Sequence, residues 1–262
     1  AIDVAFPVHE NHADKLATAF GLTHLRGPAF AVIWTTTPWT LPANEAVSVH
    51  PELTYDLVET EKGALILVHE LVEACLKRYE LSGETVASCA GSKFDQILLR
   101  HPFQPRDVAM ICGTHVTTEA GTGLVHTAPA HGADDFTIGK RYGLPVNNPV
   151  GNDGRFLGNT PALSVGELAG KTVWEANPLV LQELECCGRL LKSEKIKHSY
   201  PHCWRHKTPI IFRATTQWFI GMEHKKDEYA STLRWIAERA VDETQFFPAW
   251  GRARLEGMMK TR

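Results

Sequence analysis

Ala29-Phe30-Ala31-Val32-Ile33-Trp34 runs straight into Thr35-Thr36-Thr37-Pro38-Trp39-Thr40-Leu41-Pro42-Ala43-Asn44. The first six residues are a continuous apolar segment and read as a buried strand. Pro38 and Pro42 forbid a helix across Thr35–Pro42, because proline lacks a backbone N–H and restricts the residue before it. The strand therefore delivers four Thr within six positions to a loop held extended by its prolines. Such a loop offers hydroxyls and unpaired backbone N–H groups, which suit a ribose, a phosphate or an ester carbonyl. Thr and Pro also build ordinary β-turns, and these residues alone leave both readings open.

Outward from this stretch the chain continues in short β-prone runs at Ala46–Val49, Tyr55–Val58, Leu65–Val68, Val108–Cys112 and Gly123–Thr127. His69–Tyr79 has Leu71, Val72, Cys75, Leu76 and Tyr79 on one helical face. Gly132–Tyr142 reads as a helix with acids in its first turn, Lys140 and Arg141 in its last, and Gly143 as its stop. Trp174–Cys187 reads as another, closed by Gly188. Past residue 190 the character changes: Arg189–Arg213 holds seven Lys/Arg against one acid, with Tyr200, Trp204 and Phe212 interleaved. Lys225–Val241 reads as an exposed amphipathic helix. A soft boundary near residue 196 separates a strand-rich body from a basic, aromatic extension.

A second polar stretch is Gly121-Thr122-Gly123-Leu124-Val125-His126-Thr127-Ala128-Pro129-Ala130-His131-Gly132-Ala133-Asp134-Asp135. Glycines open a strand, His126 sits near its end, and a turn leads into a helix that begins with two Asp. This spacing lets His126 and Asp135 face one cleft, where a carboxylate can hold an ammonium group. Asp is also a routine helix cap, and that job falls to Asp134. His126 is either a satisfied core imidazole or a cleft residue.

Composition closes other doors. The 262 residues are 44% hydrophobic and 22% charged with a net charge of −3, so the chain is not a generally basic nucleic-acid binder. Apolar runs such as Ala29–Trp34 fall far short of the roughly 20 residues of a membrane helix. The N-terminus lacks the pattern of a secretory signal, and its first residue is Ala, which raises the expectation of a processed chain or a piece of a longer one. The six scattered cysteines read as free thiols of the cytosol. There is no phosphate-binding loop, no paired-glycine dinucleotide fingerprint and no G-x-S-x-G elbow. Cys203-Trp204-Arg205-His206 has metal-like spacing but no second pair, so Cys203 and His206 are weak zinc candidates and no metal is expected.

Three segments then converge. Trp34–Asn44 resembles the Thr-rich peptide of isoleucyl-tRNA synthetases, and Gly121–Asp135 resembles their second editing motif. His198–Pro209 (HSYPHCWRHKTP) resembles the segment by which the family's inserted domain returns to its catalytic core. Leucyl and valyl enzymes carry Arg where this chain has Thr37, so the likeness is to the isoleucyl member. No HIGH-like or KMSKS-like motif occurs, so the resemblance is to the editing (CP1) domain of a class I synthetase, with no synthetic site. It implies an α/β (α+β) fold: a β-barrel-like core with surrounding helices over residues 1–196, then a returning stalk and helical extension over 197–262.

The resemblance also implies roles. Val is Ile minus one methylene, which a hydrophobic pocket discriminates by only about 1–3 kcal/mol, a limit for which the isoleucyl enzyme is itself the standard illustration. A second site therefore hydrolyses Val-tRNA(Ile), and valyl-adenylate is a further candidate substrate. Asp135 matches the residue that binds the α-ammonium, and His126 matches the one that bars Ile by size. Thr35, Thr36, Thr37, Thr40 and Asn44 match the polar wall that holds the terminal adenosine and attacking water, and Trp34 begins that wall. The expected reaction needs no cofactor in this domain; ATP and Mg belong to the full-length enzyme. Expected partners are the 3′ end of tRNA(Ile) carrying Val and the rest of the synthetase in cis, in a cytoplasmic monomer without a membrane. Arg189–Arg213 is either a tRNA-acceptor contact or the surface that docks on the catalytic core, and its place at the junction favours docking. Two other functions stand beside this one: a non-catalytic tRNA-binding or docking module of the same fold, and a stand-alone aminoacyl ester hydrolase.

Overall fold

The computed structural model describes residues 1–225 and 231–260. The strands are β1 (Ile2–Pro7), β2 (Ala29–Thr35), β3 (Ala46–Val49), β4 (Thr54–Thr60), β5 (Gly63–Val68), β6 (Gly83–Ala90), β7 (Leu98–Arg100), β8 (Asp107–Cys112), β9 (Leu124–Thr127) and β10 (Leu190–Ser193). The α-helices are α1 (Ala13–Ala19), α2 (Val72–Tyr79), α3 (Ala133–Tyr142), α4 (Val173–Cys186), α5 (Leu233–Glu243) and α6 (Trp250–Lys260). Two sheets result: a six-stranded one in the order β10-β1-β2-β5-β4-β6 and a four-stranded one in the order β7-β8-β3-β9. The architecture is mixed α/β, as the sequence implies.

The two sheets share one core. Side chains alternate along a strand, so Ala31 and Ile33 of β2, Ile66 and Val68 of β5, and Tyr55 and Leu57 of β4 point inward. Val47 and Val49 of β3, Met110 of β8 and Leu124 of β9 meet them from the other sheet. The opposite faces are covered too. Val32, Val58, Leu65 and Leu67 pack beneath Cys75 and Tyr79 of α2, and Ala46 and Ile111 pack beneath Ile138 of α3. Burial on both faces is why β2 and β5 read as continuous apolar runs. α4 adds Val173, Ala176, Val180 and Leu184 to the main core. It starts at a capping box in which Thr172 and Glu175 satisfy each other's backbone N–H groups.

Three local expectations change. The two prolines do not leave Thr35–Pro42 extended: Pro38–Ala43 forms a 3-10 turn. Pro38 occupies the first helical position, where no N–H is needed, and the turn closes through Thr40 N–H to Thr37 O and Asn44 N–H to Leu41 O, bonds that do not call on either proline. His69–Tyr79 is split into a 3-10 turn over His69–Leu71 and then α2. Asp134 is exposed and caps nothing; Gly132 holds the N-cap position of α3 without a side-chain bond.

The chain divides into two compact units, Ala1–Ala214 and Thr215–Arg262, so the first unit runs past residue 196. The extra segment is bonded into it: Ala214 N–H donates to Ala130 O, Asn148 Nδ2 donates to Ala214 O, and Arg213 Nε donates to Val150 O. In the second unit, Thr232 caps α5 by accepting from Trp235 N–H, and Arg252 of α6 pairs with Asp242 of α5. The helix expected over Lys225–Val241 begins only at Leu233, and its residues 226–230 lie outside the described residues. Among the described residues no helix is long and apolar enough to cross a membrane.

Candidate active site

The 3-10 turn and the end of β9 meet because β3, which follows the turn, pairs antiparallel with β9. That register sets Val47 opposite His126 and Ala46 opposite Thr127. His126 faces inward with Leu124, at the sheet's end nearest the turn, and is buried. Asn44 Nδ2, which also donates to Ala46 O at 2.8 Å, lies 3.2 Å from His126 Nδ1. An amide N donates only, so Nδ1 is the bare acceptor and Nε2 carries the proton. Nε2–H then donates to Thr40 Oγ1 at 2.8 Å, and the Thr40 hydroxyl donates in turn to Thr37 O at 2.8 Å. One directed chain thus runs from Asn44 through His126 and Thr40 to the backbone of Thr37.

Both imidazole nitrogens are used, and burial pushes the His126 pKa down to about 4. A neutral ring with no open lone pair is a fixed wall and not a proton acceptor. The remaining hydroxyls cluster beside it. Thr35 Oγ1 accepts from Thr37 N–H at 3.1 Å and lies 3.3 Å from Thr37 Oγ1. Thr37 Oγ1 lies 3.5 Å from Thr40 Oγ1. Thr36 is half-buried, and its side chain makes no hydrogen bond among the described residues. Asn44 Oδ1 is buried without a partner among them.

Asp135 stands in the first turn of α3, and its Oδ2 accepts from Ala128 N–H at 2.8 Å, tying the helix to the residue just past β9. Gly132 leaves room for this, since a Cβ there would lie 2.9 Å from the Asp135 carboxyl carbon. Burial pushes the Asp135 pKa up to about 6; the Ala128 bond opposes that and the Asp134 charge adds to it. No cation pairs with Asp135 among the described residues. A partly buried carboxylate without a counter-charge is suited to receive one from a ligand.

The structure thus joins Thr35, Thr37, Thr40, Asn44 and His126 in one network. It places Asp135 beside β9 without a hydrogen bond to that network among the described residues. It does not bring Trp34 to the same face. Alternation turns Trp34 away from Thr35, opposite Asp3 of β1, and Gly121 packs so close that a Cβ there would lie 3.1 Å from the Trp34 Cβ.

Other residues hold the turn from outside. His101 Nε2 donates to Leu41 O at 3.0 Å, Arg106 Nη2 to Pro42 O at 3.2 Å, and Trp39 N–H to Asn177 Oδ1 at 3.0 Å. Arg106 also pairs with Glu45 at 3.2 Å. A cavity of about 530 Å³ opens beside the turn, lined by Pro42, Ala43, Glu45, Arg106, Asn148 and Thr160 among others, and neither His126 nor Asp135 lines it. Cys203 Sγ and His206 Nδ1 lie 3.4 Å apart, but no group of three or more His, Cys, Asp or Glu converges as a metal site among the described residues.

Comparison with known proteins bears on the family. A family model described as "Leucyl-tRNA synthetase, editing domain" matches residues 19–166. Isoleucine–tRNA ligase of Dechloromonas aromatica is 85% identical over 262 residues, which is 100% of this chain and 28% of the relative. That of Nitrosomonas europaea is 54% identical over 269 residues, again 100% of this chain and 28% of the relative. Among solved structures, GlLeuRS-CP1 has a TM-score of 0.58 at 14% identity, covering 75% of this chain and 99% of that one. The Plasmodium knowlesi cytosolic leucyl-tRNA synthetase editing domain has 0.53 at 10% identity, covering 72% and 94%. Those structural likenesses speak for the fold alone. This chain spans 28% of the length of the ligases it matches. The family model covers more than half of it, and the chain belongs to that family of synthetase editing domains.

Proposed function

We propose that this chain hydrolyses the ester joining valine to the 3′ end of tRNA(Ile) and spares the isoleucine ester. The observation that carries the proposal is Asp135: a carboxylate largely withdrawn from water, unpaired with any cation among the described residues, and bonded to Ala128 N–H two residues past His126, which itself joins the Thr network. An aminoacyl ester brings an ammonium beside its scissile carbonyl, and Asp135 supplies the charge that fixes it. Water attacks the carbonyl carbon, the acyl C–O bond breaks, the ribose oxygen leaves as a hydroxyl, and free valine departs. Thr35, Thr36 and Thr37, with the backbone N–H groups around them, position the water and polarise the carbonyl.

His126 sets the size limit. Held by Asn44 and Thr40 on its two nitrogens, the ring cannot swing aside, and one extra methylene in a packed pocket costs about 1–3 kcal/mol. The isoleucine–tRNA ligase names of the relatives support the isoleucyl assignment of the tRNA. In this reading the chain works in cis with the rest of such a ligase, as a monomer in the cytoplasm. In this reading its chemistry needs no metal, and Cys203 and His206 take no part in it.

The test is Asp135→Ala against Val-charged tRNA(Ile). Loss of deacylation is expected, and an unchanged rate overturns the assignment. Running Val-tRNA, Ile-tRNA and valyl-adenylate side by side separates this function from a binding module, which cleaves none of them. A stand-alone esterase cleaves without regard to the tRNA.

A further inference from the structure

Two buried polar atoms on touching rings are left without partners beside the proposed site. Trp39 sits one residue before Thr40, is 3% exposed, and its indole Nε1 has no hydrogen-bond partner among the described residues. His131 lies in the loop between Ala128 and Asp135. Its Nδ1 is 3.0 Å from Phe212 O, which can only accept, so Nδ1 carries the proton and Nε2 is a bare acceptor. That Nε2 is also buried and unpartnered among the described residues. The rings meet edge to face with centroids 4.9 Å apart.

The unmatched pair is complementary, one donor and one acceptor. Buried polar atoms in native proteins are nearly always satisfied. An ammonium has no lone pair for the indole, and a carboxylate has no proton for the imidazole; a hydroxyl has both. We propose that Trp39 Nε1–H and His131 Nε2 together hold one hydroxyl group at the edge of the hydrolytic site, its oxygen accepting from the indole and its proton directed at the imidazole. This rests on the ester-hydrolysis reading above. Burial and the nearby Arg213 charge hold the ring neutral, so the acceptor is available at neutral pH. The hydroxyl comes from water or from the ribose of the terminal adenosine. The Phe212–Ala214 segment keeps the ring in this tautomer, because Ala214 N–H is also bonded to Ala130 O next door.

The test compares single-turnover deacylation of Val-tRNA(Ile) by the chain, by Trp39→Phe and by His131→Asn. Trp39→Phe keeps the ring and removes only the donor. His131→Asn keeps a donor for Phe212 O and removes Nε2. Each is expected to lower kcat roughly tenfold, the size of one lost hydrogen bond of about 1.4 kcal/mol, with KM little changed. Trp39→Phe is expected to leave the melting temperature unchanged or higher, since it removes a buried unmatched N–H; a purely structural indole bond predicts a fall. Substrates ending in 2′-deoxy- or 3′-deoxyadenosine identify the source. If a ribose hydroxyl is held, the deoxy substrate and Trp39→Phe produce the same loss without compounding; if water is held, the two losses multiply. Unchanged kcat in both variants overturns the proposal. No deacylation by the unsubstituted chain instead overturns the reading on which it rests.

Discussion

Asp135→Asn should make the protein more stable and less active at once. In the folded chain the Asp135 carboxyl is pushed from its ordinary value near 3.8 to about 6. A raised carboxyl pKa means the fold prefers the protonated form, so the ionised form is a penalty that the unfolded chain does not carry. Below about pH 4 the group is protonated in both states and there is no penalty; it grows as pH rises and is complete above about pH 6. At full size the displacement corresponds to about 3 kcal/mol. Asn removes the charge and keeps an oxygen that can accept from Ala128 N–H, so it should recover much of that sum. The assay is urea unfolding of both proteins at pH 4, 5, 6 and 8. The variant should gain nothing at pH 4 and about 2–3 kcal/mol at pH 8, while Val-tRNA deacylation falls by orders of magnitude. A variant less stable than the parent at pH 8, or a gain independent of pH, refutes the reasoning: Asp135 would then already have its counter-charge inside the fold.

Deacylation itself should climb about tenfold between pH 5 and pH 7 as Asp135 ionises, and a pH–rate profile flat across that interval would remove Asp135 from ammonium binding. His126→Ala should admit the Ile ester, measured as deacylation of correctly charged tRNA; a variant that still spares Ile-tRNA completely defeats the size limit. Thr40→Val leaves the buried His126 Nε2–H without its acceptor and should lower stability by about 1–3 kcal/mol in thermal or urea unfolding, where no change would show that the bond is not made. His69 is bonded to Asp56 at 2.8 Å, and that bond holds its pKa above the ordinary value. The stabilisation it gives is complete below about pH 6.5 and is lost as pH rises through the raised value, so the deficit of His69→Gln in unfolding should be larger at pH 6 than at pH 9.

Much of the fold is legible where burial writes a simple pattern. Leu65–Val68 is covered on both faces and reads as an unbroken apolar run, Ala46–Val49 is broken only by Ser48, and Gly143 and Gly188 mark helix ends by adopting positive φ. Ile2–Pro7 carries a weaker signal, since Asp3 interrupts it and Pro7 ends it. Gly83–Ala90 is an exposed strand with no alternation of apolar residues to betray it. Strand order is not written locally at all: β2 lies parallel to β5 only because the hairpin of β4 and β5 folds back against it. For the site, residue types were readable and directions were not. Asn44 and His126 are 82 positions apart, and only the β3–β9 register makes them neighbours. Trp34 and Thr35 are adjacent in sequence yet face opposite ways, which strand pleating dictates once the strand is known to reach Thr35. Asp134 has the right residue type for a cap, but Gly132 takes the position because the Asp135 carboxylate occupies the space a larger residue would need. His101, Arg106, Asn177 and Phe212 act over long sequence separations, and nothing in their local context marks them.

The most direct measurement is the deacylation rate of Val-charged against Ile-charged tRNA(Ile) by this chain at pH 7.5. The Asp135, Thr and His126 arrangement predicts release of valine with isoleucine retained, and loss of the valine activity in Asp135→Ala. Equal rates for the two esters, or a valine rate untouched by Asp135→Ala, would contradict it.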